Sequence, residues 1–138
     1  MVEEIPRWKE RLQTFKNALS RLEDVVERSR HQTLNEYEND SLIKRFEFTY
    51  EMAWKLMMSY EKENGITLIR GSKDIVRHAL SLTLIENGEA WMSMIDARNQ
   101  TAHVYDNETA MGVIDDIIHT YYPLLVELQQ KMDEIAKE

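Results

Sequence analysis

The segment WKERLQTFKNALSRLEDVV, residues 8–26, decides the fold class of this chain. Its large apolar side chains recur at steps of four and three residues, which places them on one face of a helix. They are Trp8, Leu12, Phe15, Leu19, Leu22 and Val26. The pattern predicts an amphipathic helix over about residues 6–30, with Pro6 in the first turn, where proline is well tolerated.

The same step pattern returns through the rest of the chain. It predicts a second helix that starts at a cap among residues 39–41 and reaches about Asn64, where Gly65 stops it. The apolar stripe of this helix consists of Ile43, Phe46, Tyr50, Ala53, Met57 and Tyr60. Further helices are predicted over residues 73–84 with Ser72 as cap, from Glu89 to about Ala102, and over residues 108–136 with Asn107 as cap. Pro123 removes an amide donor inside the last helix, so we expect a kink there.

These segments predict an all-α fold. The sequence has only four glycines and two prolines in 138 residues, which suits long helices with few turns and disfavours a sheet with many hairpins. An antiparallel four- or five-helix up-and-down bundle accommodates all the amphipathic segments in a single domain over residues 1–138.

Composition excludes several classes of protein. The chain has no cysteine, which rules out disulfide frameworks, thiolate metal sites and cysteine nucleophiles. A formal net charge of -8 argues against a whole-surface grip on nucleic acid, although a local basic site remains compatible with it. No segment has the character of a signal peptide or a membrane span. We therefore expect a soluble, cytoplasmic protein with no membrane partner.

The second helix carries more apolar residues than one stripe needs. The excess includes Met52, Trp54, Leu56, Met57 and Met58. Such residues can belong to the core, or they can form a second apolar face that buries against another copy of the chain.

The stretch DARNQTAHVY, residues 96–105, concentrates polar side chains near the predicted end of the fourth helix. On an ideal helix Asp96, Asn99 and His103 form one polar stripe, while Arg98 lies a little under half a turn away from His103. Arg98 and His103 can therefore converge only if the helix unwinds after Thr101 or if a second copy completes the site.

These residue types suit phosphate chemistry. His103 can take the proton from a ribose 2'-hydroxyl, and Arg98 can stabilise the negative charge that builds on the attacked phosphate. Asn99 can orient either group, Tyr105 can donate a hydrogen bond or stack on a base, and Asp96 is a supporting residue. A purely structural role fits equally well at this point, because Arg98 and His103 can interact with the last carbonyls of a helix.

The other polar patterns indicate less. His31, His78 and His119 lie on separate segments without the spacing of a metal site, and we predict no metal and no cofactor. Glu47, Glu51 and Lys55 follow one another at steps of four, which is typical of a solvated ladder of ion pairs.

Three segments resemble the nucleotidyltransferase substrate-binding protein family, a branch of the HEPN superfamily of helical bundles. They are RFEFTYEMAWK at residues 45–55, WMSM at 91–94 and RNQTAHVY at 98–105. The likeness extends over nearly the whole chain. It implies a bundle similar to the C-terminal domain of kanamycin nucleotidyltransferase, a homodimer, and a separately encoded minimal nucleotidyltransferase as partner. In that case this chain helps to form the substrate cleft, and the partner supplies the metal-binding aspartates.

The resemblance also implies an alternative activity. Related HEPN proteins carry an arginine, four to six variable residues and a histidine as a motif for metal-independent RNA cleavage, often as toxins in toxin and antitoxin pairs. Arg98 and His103 match that motif, with Asn99 beside the arginine. In related pairs the nucleotidyltransferase silences the toxin by attaching AMP to a tyrosine two residues after the histidine, where Tyr105 stands. Whether this chain is an enzyme is thus left open between the two implications.

Overall fold

The computed structural model describes residues 4–103 and 106–138, apart from the side chain of His103. The helices are α1 (Arg7–Ser29), α2 (Glu36–Glu63), α3 (Ser72–Ser81), α4 (Gly88–Gln100), α5 (Asn107–Asp116) and α6 (Tyr122–Ala136). A short 3₁₀ turn (Thr101–His103) follows α4, and a π-helical turn (Ile117–Tyr121) joins α5 to α6. The described residues contain no strand, so the predicted all-α fold is confirmed.

The start of α2 lies upstream of the predicted cap at residues 39–41. Asn35 is the N-cap: its side chain accepts from the amide of Glu38 at 2.8 Å, and the Glu38 carboxylate accepts from the amide of Asn35 at 2.9 Å. This reciprocal capping box satisfies two amides that a helix start leaves without partners. The predicted stop is confirmed at the other end, where Gly65 adopts a positive φ of 86° directly after the C-cap.

Two other caps differ from the predictions by one residue. Ser72 is the first residue of α3 and makes no side-chain cap, because Gly71 occupies the cap position, and α3 ends at Ser81. Asp106, rather than Asn107, caps α5 and accepts from the amide of Glu108. Both corrections exchange neighbouring residues of the same turn. The end of α3 differs more, because it lies three residues before the predicted end at residue 84.

Pro123 perturbs the last helix upstream of its own position. Instead of a simple kink, residues 117–121 widen into a π turn in which the amide of Tyr122 donates to the carbonyl of Ile117, five residues back. Proline has no amide to bond the carbonyl of His119, and a wider turn redistributes the remaining donors. The apolar stripe nevertheless continues from α5 into α6, as expected.

The core lies mainly between α1 and α2. Trp8 at the start of α1 meets Tyr60 at the end of α2, with ring centroids 5.3 Å apart, so the two helices run antiparallel. Phe46 of α2 is fully buried and stacks on Tyr121 of the π turn at 5.9 Å, which connects the first half of the chain to the last helix. Lys16 of α1 pairs with Asp133 of α6 at 3.0 Å. The α2 helix is thus the central element, against which α1, α3 and α5 pack.

The apolar excess on α2 divides into two groups. Leu56 and Met57 are fully buried and belong to the core, whereas Met52, Trp54 and Met58 are only partly buried. Phe48 on the same helix is 50% exposed. The core interpretation therefore holds fully for two of the five residues, and the other three are partly buried against the edge of the core.

One carboxyl group is buried at the far end of α2. Glu61 has no exposed surface, and neither of its side-chain oxygens has a hydrogen-bond partner among the described residues. Burial raises its pKa to about 8, and the negative charge of Asp74 in α3 adds to the shift. Glu61 is consequently held as a neutral acid below about pH 8.

Within the described residues, no helix combines the length and the apolarity that crossing a membrane requires.

Candidate functional site at the end of α4

Arg98 is the organising residue of the polar stretch. It lies in the last turn of α4 with its side chain 35% exposed. Its Nη1 atom donates to the hydroxyl of Thr101 at 3.2 Å and lies 3.5 Å from Oε2 of Glu47 in α2. The guanidinium is therefore held between the end of its own helix and a neighbouring helix, with part of its surface open to solvent.

Thr101 terminates the helix that carries Arg98. It is buried, and its hydroxyl donates to the carbonyl of Arg98 at 2.6 Å while it accepts from the guanidinium of the same residue. Threonine hydroxyls that bond a preceding carbonyl in this way compete with the backbone ladder of a helix. The α4 helix ends at Gln100, two residues before its predicted end at about Ala102, and a 3₁₀ turn follows. This satisfies the first of the two conditions under which Arg98 and His103 can converge, while completion by a second copy stays a prediction.

The guanidinium of Arg98 does not act as a simple helix cap. Its recorded hydrogen bond goes to a side-chain hydroxyl and its ion pair to another helix. Among the described residues, these contacts go to side chains and not to the last carbonyls of α4. They also join α4 to α2, so the structural and the functional interpretations of Arg98 both stay predictions.

Tyr50 and Ser72 are two further polar residues near Arg98. Tyr50 of α2 is buried, and burial raises the pKa of its hydroxyl, while the Ser72 hydroxyl and the Arg98 guanidinium partly lower it. The α3 helix, which starts at Ser72, packs against both α2 and α4. Three helices thus contribute to one polar cluster, which we define as Glu47, Tyr50, Ser72, Arg98 and Thr101.

The remaining predicted residues take different positions. Asn99 is exposed on α4 next to Arg98. Asp96 is also exposed. The pKa of Tyr121 in the π turn is raised first by burial, then by the charge of Asp116 and that of Asp96. The side chain of His103 and the whole of Tyr105 lie outside the described residues, and their roles stay predictions.

Glu47 is the site residue that sequence reasoning did not single out. The predicted ladder of Glu47, Glu51 and Lys55 exists only in its second step, where Glu51 and Lys55 are 3.3 Å apart. Glu47 pairs with Arg98 instead. The sequence did contain one signal. The residue four positions after Glu47 is Glu51, which is also acidic, so Glu47 cannot form an ion pair with it.

The cluster can bind an anion. A guanidinium offers five donors in a planar fork that matches two oxygens of one phosphate, and Arg98 is partly solvent-exposed at the edge of a protein of net charge -8. Across residues 4–103 and 106–138, apart from the side chain of His103, no group of three or more His, Asp or Glu residues could hold a metal ion.

Fold and site define a class: a helical bundle that places an arginine at the end of a helix as its candidate phosphate ligand. The model of the family described as "Nucleotidyltransferase substrate binding protein like" matches residues 10–134. The chain belongs to this family, as its sequence motifs predicted.

Individual relatives agree with this assignment. The chain is similar to a Haemophilus influenzae protein named "Probable ribonuclease HepT", with 38% identity over 96 residues that cover 64% of this chain and 66% of the relative, just under two thirds of its length. A solved structure from the same organism, described as revealing the fold of a substrate binding domain of a nucleotidyltransferase, superimposes with a TM-score of 0.78 and 28% identity over 88% of this chain and 98% of that chain. A Thermus thermophilus structure shares the fold, with a TM-score of 0.73 and 24% identity over 85% of this chain and 97% of that one.

Proposed function

We propose that this chain is the accessory substrate-binding subunit of a two-component minimal nucleotidyltransferase. The observation that carries the proposal is the extent of the family match, which runs through residues 10–134 and so includes every helix rather than one motif. The solved Haemophilus influenzae structure, described as the fold of such a domain, is similar over nearly all of its own length.

In this function Arg98 binds a phosphate of the substrate. The partly exposed guanidinium supplies a fixed positive charge, and Asn99 beside it offers an amide that can donate to the same ligand. We propose that His103 and Tyr105 complete the ligand side of the site. The catalytic nucleotidyltransferase, a separate chain, supplies the metal-binding acids that transfer needs.

We further propose that the chain acts as a homodimer and that the side of α2 that carries Phe48 takes part in assembly. Phe48 is 50% exposed there, and Met52, one helical turn further along the same side, is partly buried. Exposed apolar groups that cluster on one face favour association. Light scattering after gel filtration should give twice the mass of one chain, and Phe48→Glu should shift that mass towards the monomer.

Co-expression with the nucleotidyltransferase encoded beside this chain tests the main proposal. We expect the two proteins to co-purify. We expect Arg98→Ala to leave the complex intact, because its ion pair is exposed enough to stabilise the fold by about 1 kcal/mol at most. The same variant should bind the nucleotide substrate more weakly. Failure of the wild-type chains to associate would remove this function.

A second function is favoured by the geometry of the helix end together with the HepT relative. The α4 helix ends before His103, as convergence of Arg98 and His103 requires. In metal-independent cleavage, His103 would take the proton of a ribose 2'-hydroxyl, whose oxygen attacks phosphorus. The bond from phosphorus to the 5'-oxygen then breaks, and that oxygen receives a proton. Arg98 would stabilise the charge on the phosphate.

RNA cleavage in EDTA tests this second function. We expect cleavage by the wild-type chain and none by Arg98→Ala or His103→Ala. Cleavage by His103→Ala at the wild-type rate would exclude it. Intact mass of the chain purified with its partner tests silencing, since AMP on Tyr105 adds the mass of one nucleotidyl group, which Tyr105→Phe should abolish.

A further inference from the structure

Glu47 is the only side chain outside the α4 end that has a recorded ion pair with Arg98 among the described residues. The two lie on different helices and are separated by 3.5 Å between Oε2 and Nη1. A hydrogen bond to a charged donor is normally shorter, so this contact acts mainly through charge. Glu47 is itself only 22% exposed, which reduces the screening of the pair by water.

The contacts of Arg98 fall on one nitrogen. Both the Thr101 hydroxyl and the Glu47 carboxylate meet Nη1. A guanidinium has a second, separate edge formed by Nε and Nη2, whose two N–H groups are parallel and match two oxygens of a phosphate. The two contacts to Nη1 restrict the orientation of the group, and among the described residues they leave the Nε and Nη2 edge without a side-chain partner.

We propose that Glu47 is a positioning residue, which together with Thr101 holds Nη1 of Arg98 so that the Nε and Nη2 edge is presented to a phosphate. The inference rests on the proposed function, in which Arg98 contacts a phosphate group of the ligand. Glu47 does not touch that ligand. Its contribution is to restrict the side chain of Arg98 before the ligand arrives, so that less conformational entropy is lost on binding.

Two physical effects of removing Glu47 have opposite signs. A carboxylate near an anion site repels the anion, so electrostatics alone predicts that Glu47→Ala tightens phosphate binding. Loss of positioning predicts that the same variant weakens binding. The direction of the change therefore separates the two explanations.

Glu51 provides the matched control. It is the same residue type, one helical turn further along α2, and it pairs with Lys55 rather than Arg98. Glu51→Ala removes the same charge close to the site without releasing the guanidinium. Both ion pairs are partly exposed, so neither variant should lose the fold, and thermal unfolding of the two should be alike.

The experiment measures dissociation constants by NMR titration with two probes, ATP and a 2'-O-methylated oligoribonucleotide that resists cleavage. We expect Glu47→Ala to weaken binding of the favoured probe by about fivefold. Glu51→Ala should leave binding unchanged or tighten it. Glu47→Gln, which keeps an oxygen near Nη1 without the charge, should fall between Glu47→Ala and the wild type.

The outcomes distinguish a failure of this inference from a failure of the proposed function on which it rests. If Arg98→Ala abolishes binding while Glu47→Ala binds as tightly as Glu51→Ala, Glu47 has no positioning role and the phosphate site stands. If Arg98→Ala binds both probes like the wild type, the phosphate role of Arg98 fails and the inference fails with it. If Glu47→Ala weakens binding and Glu51→Ala does not, the inference is supported. The probe whose binding changes then identifies the class of ligand.

Discussion

Replacing Glu61 by glutamine should stabilise the protein, and increasingly so as the pH rises. The carboxyl group is fully buried, has no hydrogen-bond partner among the described residues, and lies near the charge of Asp74. Glutamine has nearly the same shape and stays neutral at every pH. The substitution therefore removes the ionisation and leaves the packing in place.

The size of the effect follows from the pKa. In the folded chain the pKa of Glu61 is about 8, against 4.5 for the unperturbed group. Between these values the unfolded state loses the proton and the folded state retains it, so ionisation favours unfolding and the wild type loses stability as the pH rises. Each pKa unit corresponds to about 1.4 kcal/mol, which gives roughly 3 kcal/mol at about pH 7 and roughly 5 kcal/mol above about pH 8.

Urea unfolding followed by circular dichroism at several pH values between about 5 and about 8.5 measures this dependence. Near pH 5 the wild type and Glu61→Gln should differ by about 1 kcal/mol or less, because both side chains are neutral. The difference should then grow with a slope approaching about 1.4 kcal/mol per pH unit. Glu63→Gln is the control, since Glu63 is exposed on the same helix and its replacement should run parallel to the wild type.

A constant difference between wild type and Glu61→Gln across this pH range would refute the reasoning. It would mean that Glu61 ionises at its ordinary pKa and that water or a partner reaches the carboxylate.

Four further substitutions test the local structure. Asn35→Ala should destabilise the protein by about 1 kcal/mol through loss of the capping box, whereas Asn39→Ala, inside α2, should be close to neutral. Thermal unfolding measures both variants. If Asn39→Ala is the more destabilised, the cap lies at residues 39–41 after all. Gly65→Ala should cost about 1 kcal/mol because of its φ of 86°, although no atom lies within 4 Å of the added Cβ. Gly112 lies within α5 and also has no atom within 4 Å of an added Cβ, so Gly112→Ala should stabilise the protein by about 0.5–1 kcal/mol. If chemical denaturation shows that both glycine variants change stability in the same direction, the different backbone roles given to the two glycines are wrong. Phe46→Ala should destabilise by about 3–5 kcal/mol, because the ring is fully buried against Tyr121; a loss below about 1 kcal/mol in urea would show that this contact is not part of the core.

The existence of the helices could be predicted because each buries a stripe of apolar side chains, and the step of such a stripe is visible in a single sequence. The start of α2 could be predicted less accurately. Asn35 and Glu38 form their capping box inside a polar run, where several other residues offer the same cap chemistry. Helix boundaries depend on such local competition between similar side chains.

The contacts within the site were harder to predict from the sequence. The end of α4 could be predicted to within about two residues from its apolar pattern, but the pair of Glu47 and Arg98 depends on how α2 and α4 pack. Glu61 shows the same limit in another form. A step of four from Met57 on the apolar stripe leads to Glu61, and a step of three leads to Tyr60. Hydrophobicity favours the tyrosine, yet the structure buries the acid more completely.

The π turn before Pro123 has a consequence for how the last helix can change. A π turn adds about one residue to the helical path, which rotates everything beyond it by about 100° relative to a continuous α-helix. The two halves thereby face different neighbours, α5 towards α2 and α6 towards α1. Removing a single residue within 117–121 would restore ordinary helical phase and turn one half away from its neighbour. This segment should therefore tolerate substitutions at the exposed His119 and Thr120 but not changes of length. The number of residues between the two halves is thus a fixed dimension of the bundle.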